Sequence, residues 1–199
     1  FWNKNNVRTW FRRKKKFYNP VSYFLSNVKN FFSKKYKYNL QNKQRLSLYY
    51  GGLKKSYLKK RRNLVLKRSR KQGPRASIMF IHKLEARLDT VLYRTYFCHS
   101  YYEASQFISH QKIYVNNKVM EHRFFELKKG DLITLDKTIL ATVKSNILNA
   151  EIWPIPPKHF FINYKTFQIL ITDDIKYTNY STYFHFWIDF NSFIRSYTK

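Results

Sequence analysis

The sequence predicts an α+β protein. It divides into a basic helical N-terminal region, a small unit of two helices packed on a small antiparallel sheet, and a β-rich C-terminal extension. Three observations carry that expectation. Residues 1–84 hold 25 Lys and Arg and no acid, whereas residues 85–199 hold the other 14 and all 11 acids. A helix-start signal, Ser100-Tyr-Tyr-Glu103, follows a stretch of helical period and precedes a turn signal at Asn116-Asn117. Short runs rich in β-branched and aromatic residues then recur between turns as far as Ile171.

The formal charge of +28 exceeds what solubility requires, and 44% hydrophobic residues argue against disorder throughout. So unbalanced a chain expects a large polyanion as partner, nucleic acid first. Phe (18) and Tyr (17) are abundant while Gly (4) and Pro (5) are scarce, a codon bias that points to an AT-rich genome such as an organelle's. The single Cys98 excludes an internal disulfide and a multi-cysteine zinc site, and the six histidines have no metal-ligand spacing. No metal or other cofactor is therefore expected. No apolar run approaches the roughly 18 residues of a membrane span, so no membrane partner is expected.

In order along the chain, residues 1–39 alternate basic and aromatic clusters, as in Arg12-Arg-Lys-Lys-Lys16-Phe-Tyr18, without a sustained period. They read as an extension that orders on its partner. Residues 40–79 read as a basic helical region and linker. Leu46, Tyr49/Tyr50, Leu53 and Tyr57 form an apolar stripe interrupted at Gly51-Gly52, and Gly73-Pro74 reads as the linker. Lys54, Lys55, Lys59, Lys60, Arg61, Arg62, Lys67 and Arg68 follow on the polar side. A charge run is usually a solvated face, but with no acid to balance it this one is expected to meet phosphate.

In residues 80–136, Leu84, Leu88, Val91, Leu92 and Tyr96 keep the helical period and define a buried stripe from which Arg87 and Arg94 project. Asp89 is expected to orient Arg87 or another basic group. Ser100 caps the next helix, with Glu103 reaching back and Ala104, Phe107 and Ile108 as its core face. Ile113–Val115 and Val119-Met120 flank a hairpin turn at Asn116-Asn117-Lys118, since Asn tolerates positive φ. Gly130-Asp131 is a second turn before the strand Leu132–Leu135. In residues 137–199, Trp153–Pro157 reads as a rigid connector, Phe160–Tyr164 and Thr166–Ile171 as strands, and Asp173-Asp174 as a turn. The ring-rich remainder suggests strands packed on the central unit or a docking surface.

Helix, helix, hairpin, strand is the order of an RNA-binding module, and the residues match it. The central unit resembles the domain named after small-subunit ribosomal protein S-four, through Arg87-Leu-Asp89, Tyr93-Arg94, Glu103-Ala104, Ile108-Ser109-His110, Val115-Asn116, Lys118 and Gly130-Asp131. Lys43-Gln-Arg45-Leu46, Tyr49-Tyr50-Gly51 and Leu53 resemble the helical segment before that module in the ribosomal family itself. The resemblance covers roughly residues 40 to 136. It implies a structural protein of the small ribosomal subunit that binds a folded junction of small-subunit ribosomal RNA. Neighbouring small-subunit ribosomal proteins and messenger RNA near its path into the subunit are implied as further partners. Arg87, Arg94, His110, Asn116 and Lys118 fall on module positions that face RNA in the family, and Lys43, Arg45 and Lys54 on contacts of the preceding segment. Tyr101 and Ser105 stand where the family often has arginine, and Asn117 replaces a turn glycine. The family's bacterial N-terminal segment is not recognisable in residues 1–39, which favours a divergent mitochondrial form.

Enzymes share this module. Pseudouridine synthases and some tyrosyl-tRNA synthetases carry it, but they need a separate catalytic domain for which no stretch is long enough. No nucleophile–base set, phosphate-cradling loop or carboxylate pair is apparent, so neither catalysis nor a small-molecule substrate is expected. A stand-alone RNA-binding assembly or stress factor is the main alternative.

Overall fold

The computed structural model describes residues 31–72, 76–150, 157, 159–173 and 188–195. The first two helices of the described residues, α1 (Phe31–Tyr49) and α2 (Lys55–Gln72), meet at Gly51-Gly52. Both glycines have φ of +75°, a left-handed conformation that side chains oppose. At Gly51 there is also no room: a Cβ would stand 2.5 Å from the Cβ of Tyr101. The turn is closed by Gly52 N–H donating to the Ser47 carbonyl at 2.8 Å and by Ser47 Oγ donating to the Leu53 carbonyl at 2.7 Å. Leu46, Tyr50, Leu53, Leu58 and Val65 then form a helical core with Phe80 and Leu84 of α3 (Ala76–Glu85). The expected stripe is thus borne out. The helix starts nine residues before Leu40, however, so the boundary at 39/40 falls inside α1, and that at 79/80 falls inside α3. Residues 1–30 and the Gly73-Pro74 linker lie outside the described residues.

The single stripe expected from Leu84 to Tyr96 is two helices, α3 and α4 (Leu88–Arg94). Arg87 between them is extended (φ −75°, ψ 139°) and bridges Glu126 of a later loop, while Leu88 N–H donates to the Phe125 carbonyl at 3.0 Å. A tertiary pairing overrides the local period. Leu84, Leu88, Val91 and Leu92 are buried as expected, but Tyr96 has φ of 60° and its ring is exposed. Helix α5 (Tyr101–Ser109) starts at the Ser100 cap, where Ser100 Oγ accepts from Glu103 N–H at 3.1 Å. Glu103 reaches back to the N–H of His99, at 2.6 Å, rather than to Ser100 itself.

The hairpin of β1 (Ile113–Val115) and β2 (Lys118–Val119) turns on two residues, Asn116 and Asn117, with φ of 51° and 63°. Two consecutive positive φ values give the tight turn that suits the twist of a hairpin. Lys118 is therefore a strand residue paired with Val115, not part of the turn. Gly130, φ +90°, makes the second turn, with Lys128 N–H donating to Asp131 Oδ2 at 2.7 Å, and β3 (Leu132–Leu135) follows.

The C-terminal extension continues the same sheet. Strands β4 (Phe160–Asn163) and β5 (Gln168–Ile171) form a hairpin, and β5 pairs antiparallel with β3. The strand order is β2-β1-β3-β5-β4. Ile113, Val115, Ile133, Ile169, Ile171 and Phe160 line the inner face against α4 and α5. "β-rich" describes only part of the extension. A 3₁₀ turn (Lys137–Ile139) leads into α6 (Leu140–Leu148), whose Val143 and Ile147 cover this core. A last helix, α7 (Phe190–Arg195), returns to the helical core, where the Phe193 ring lies 5.1 Å from that of Phe80. Residues 153–156, Asp174 and most of Tyr177–Tyr197 lie outside the described residues. No described helix is long and apolar enough to cross a membrane.

Candidate nucleic-acid interface

Helix α2 presents its buried face through Leu58, Arg62 and Val65, which places Lys60 and Lys67, two turns apart, on the opposite side. Lys54, Lys55, Lys59, Lys60, Lys67 and Arg68 are all exposed, and none makes an ion pair among the described residues. Lys43 on α1 adjoins this face. Partial burial, and then the charge of Lys55, lower its pKa from the ordinary lysine value. Arg45 is half-buried beside it on α1. A crowd of like charges with no acid is unfavourable in isolation and is relieved by a polyanion. On the module, Lys118 is exposed on β2 and His110 at the end of α5. Asn116 is exposed too, but its amide braces the fold: it donates to Asp131 Oδ1 at 2.9 Å and accepts from Leu132 N–H at 3.0 Å.

Four arginines that the sequence places at RNA are turned inward instead. Arg94 grips the fully buried Glu85, with Nη2 to Oε1 at 2.9 Å and Nε to Oε2 at 3.3 Å, and lies over the Tyr49 ring at 4.7 Å. Tyr50 Oη donates to the same carboxylate at 2.5 Å. Burial alone would lower the Arg94 pKa, but Glu85 and the tyrosines around it raise it overall, so the guanidinium stays charged. Burial and the Glu85 charge likewise push the Tyr50 hydroxyl well up, keeping it a donor. Arg87 is fully buried, paired with Asp89, and enclosed by the rings of Tyr57 (5.6 Å) and Phe124 (4.8 Å). Burial raises the Asp89 pKa against the pull of Arg87. The expectation that Asp89 orients Arg87 is met by this pair.

The other two belong to α2. Arg62 donates from Nε to the Ile194 carbonyl at 2.9 Å and so holds α7, with its pKa lowered by burial. Arg61 donates to Tyr57 Oη at 3.1 Å and shares Glu126 with Lys83. In each case an acid or a carbonyl from a distant element supplies the partner. Among the described residues no group of three or more His, Cys, Asp or Glu is arranged to hold a metal ion.

Residues 86–133 match the family model for the S4 domain. Among curated proteins, the chain is 33% identical over 157 residues to small ribosomal subunit protein uS4m of Marchantia polymorpha, covering 76% of each chain. It is 34% identical over 139 residues to uS4 of Karelsulcia muelleri, covering 70% of this chain and 67% of the relative. It is 26% identical over 196 residues to uS4m of Reclinomonas americana, covering 90% and 74%. The chain belongs to the uS4 family of small ribosomal subunit proteins.

Within this uS4 chain the S4 match begins at the break between α3 and α4 and ends inside β3, so β4, β5 and α7 are built on outside it. Lys35 and Lys37, placed by sequence in the extension, are exposed on α1, and no sustained period upstream of Leu40 marked that part of the helix. Glu85 and Glu126, the acids that pair with Arg94 and Arg61, carried no sequence signal beyond being among the few acids of their region.

Proposed function

We propose that this chain is a structural constituent of the small ribosomal subunit of a mitochondrion, binding a folded junction of small-subunit ribosomal RNA and supporting subunit assembly and translation. Membership of the uS4 family, with two relatives named uS4m, supports the setting. The observation that carries the RNA reading is the acid-free face of Lys54, Lys55, Lys59, Lys60, Lys67 and Arg68, held on an S4 domain. Mechanistically, these cations displace counterions from phosphate, while Lys43, Arg45, Lys118 and His110 extend the contact over a shaped surface. Arg61, Arg62, Arg87 and Arg94 hold that surface together, and Asn116 braces the hairpin that carries Lys118. The role is structural, and no reaction is assigned to it.

The outer face of the sheet suits a neighbouring small-subunit protein. Phe161 (63% exposed) and Leu170 (37% exposed) sit opposite each other in register there. Messenger RNA near its path into the subunit is a further partner by analogy with the family. Sedimentation of mitochondrial extract tests the reading. The chain should comigrate with small ribosomal subunits and be released by high salt with their RNA-bound proteins. Migration with free protein instead would favour a stand-alone RNA-binding factor.

A further inference from the structure

We infer that Arg87 is a positioning residue for RNA binding: it is the joint that fixes the basic helix α2 to the S4 domain, so that both bind one RNA as a single rigid surface. The inference rests on the RNA reading above and adds a residue whose part in it is indirect.

The joint is built from three elements. Tyr57 comes from the first turn of α2, Arg87 from the break before α4, and Phe124 from the loop between β2 and β3. The Tyr57 and Phe124 rings stack at 4.5 Å, and the Arg87 guanidinium faces both. Phe124 thereby leaves the module's loop and packs against the helical core. One turn along α2, Arg61 binds Tyr57 and Glu126, and Lys83 of α3 binds the same Glu126. Arg87 bridges Glu126 through its backbone, so ring stack and ion pairs close on one spot.

Energetically Arg87 is a poor stabiliser. Its Nε and Nη1 are buried without a hydrogen-bond partner, and its one acid is Asp89. Replacing both members of such a buried pair by apolar side chains is often neutral in stability, whereas removing Arg87 alone strands the buried Asp89. What an apolar residue would not supply is a flat cation that two rings must face, which sets their mutual orientation. The rings belong to the two bodies that carry the proposed RNA contacts, Lys59, Lys60, Lys67 and Arg68 on one side and Lys118 on the other. Fixing their relative orientation makes the second contact intramolecular and pre-organised.

The test uses the full chain with Leu64→Cys and Val119→Cys, both exposed positions, as spin-label sites on α2 and on the hairpin; the native Cys98 is buried. Two quantities are read: the label-to-label distance distribution without RNA, and affinity for small-subunit ribosomal RNA as a function of salt. With Arg87→Leu the distribution should broaden, and affinity should fall on the order of 10²-fold, the low end of what linking two surfaces contributes. The salt slope should stay unchanged. Tyr57→Leu, which leaves no orphaned charge, should do the same and serves if Arg87→Leu does not fold. A sharp distribution with a slope reduced by about one would mean that Arg87 touches phosphate, and would overturn the inference. Unchanged affinity, with either distribution, would also overturn it. Failure of the parent chain to bind this RNA would overturn the functional reading and the RNA half of the inference, while the distance measurement would still report on the joint.

Discussion

The cations of α2 and the arginines of the module have the same charge and opposite situations. Lys59, Lys60, Lys67 and Arg68 are exposed in a region without acids, whereas Arg87 and Arg94 are enclosed with Asp89 and Glu85. The difference follows from where the acids lie. Every acid of the chain is at position 85 or later, so a cation finds a carboxylate inside the protein only by folding against that half. Arg61 and Arg62 mark the border: they belong to the basic helix, yet each reaches across to the later half, at Glu126 and at the Ile194 carbonyl. On the proposed function, the exposed cations of α2 are the ones available to phosphate, and the paired arginines act as struts.

The contrast can be broken most forcefully at Glu85. Arg94→Leu leaves that carboxylate buried without its cation, and unfolding free energy should fall by about 3–5 kcal/mol in denaturant titration. A loss below about 0.5 kcal/mol would place Arg94 with the surface charges instead. Next comes the turn that seats α1 and α2 against α5. Gly51→Ala meets both the left-handed φ and the Tyr101 contact, so a loss of at least about 1–3 kcal/mol is expected.

The histidines repeat the contrast. His110 is exposed, whereas His159 is buried on the way into β4, and burial lowers its pKa from 6.5 to about 4. His82 and Arg94 nearby oppose its charging as well, and Glu85 favours it. The folded chain thus refuses a proton that the unfolded chain accepts, so its contribution is intact above about 6.5 and is lost as pH falls toward 4. The His159→Gln variant should lose up to about 3 kcal/mol of that pH dependence, read from thermal unfolding at several pH values. The same slope in both proteins would remove His159 from the account. Smallest in stability is Lys60→Ala, expected within about 0.5 kcal/mol of the parent chain, yet reducing the salt slope of RNA binding by about one.

Local chemistry made much of this fold legible. The Ser100 cap, the two-asparagine turn and Gly130 each name a backbone conformation that few residues adopt, and each is found where the residues put it. Tertiary demands hid the rest. The helix break at Arg87 is invisible in the period because Leu84 and Leu88 remain four apart across it. Helices α6 and α7 lie in an extension whose aromatic and β-branched content suggested a β-rich segment and a docking surface, with no helix signal. For the interface, the acid-free stretch located the exposed lysines. The internal partners of the arginines were not legible, because a guanidinium looks the same in sequence whether its partner is phosphate or a distant carboxylate. Only Arg87-Leu-Asp89 carried a hint, and the acid two residues away is indeed its partner.

The central claim is that α2 meets phosphate while the module's arginines do not. The direct measurement is the slope of log affinity for small-subunit ribosomal RNA against log salt in two variants, Lys60→Ala with Lys67→Ala, and Arg87→Leu. The first should lower the slope by about two, one counterion per lost phosphate contact, and the second should leave it unchanged. An unchanged slope in the lysine variant, with a fall in the arginine variant, would contradict the account.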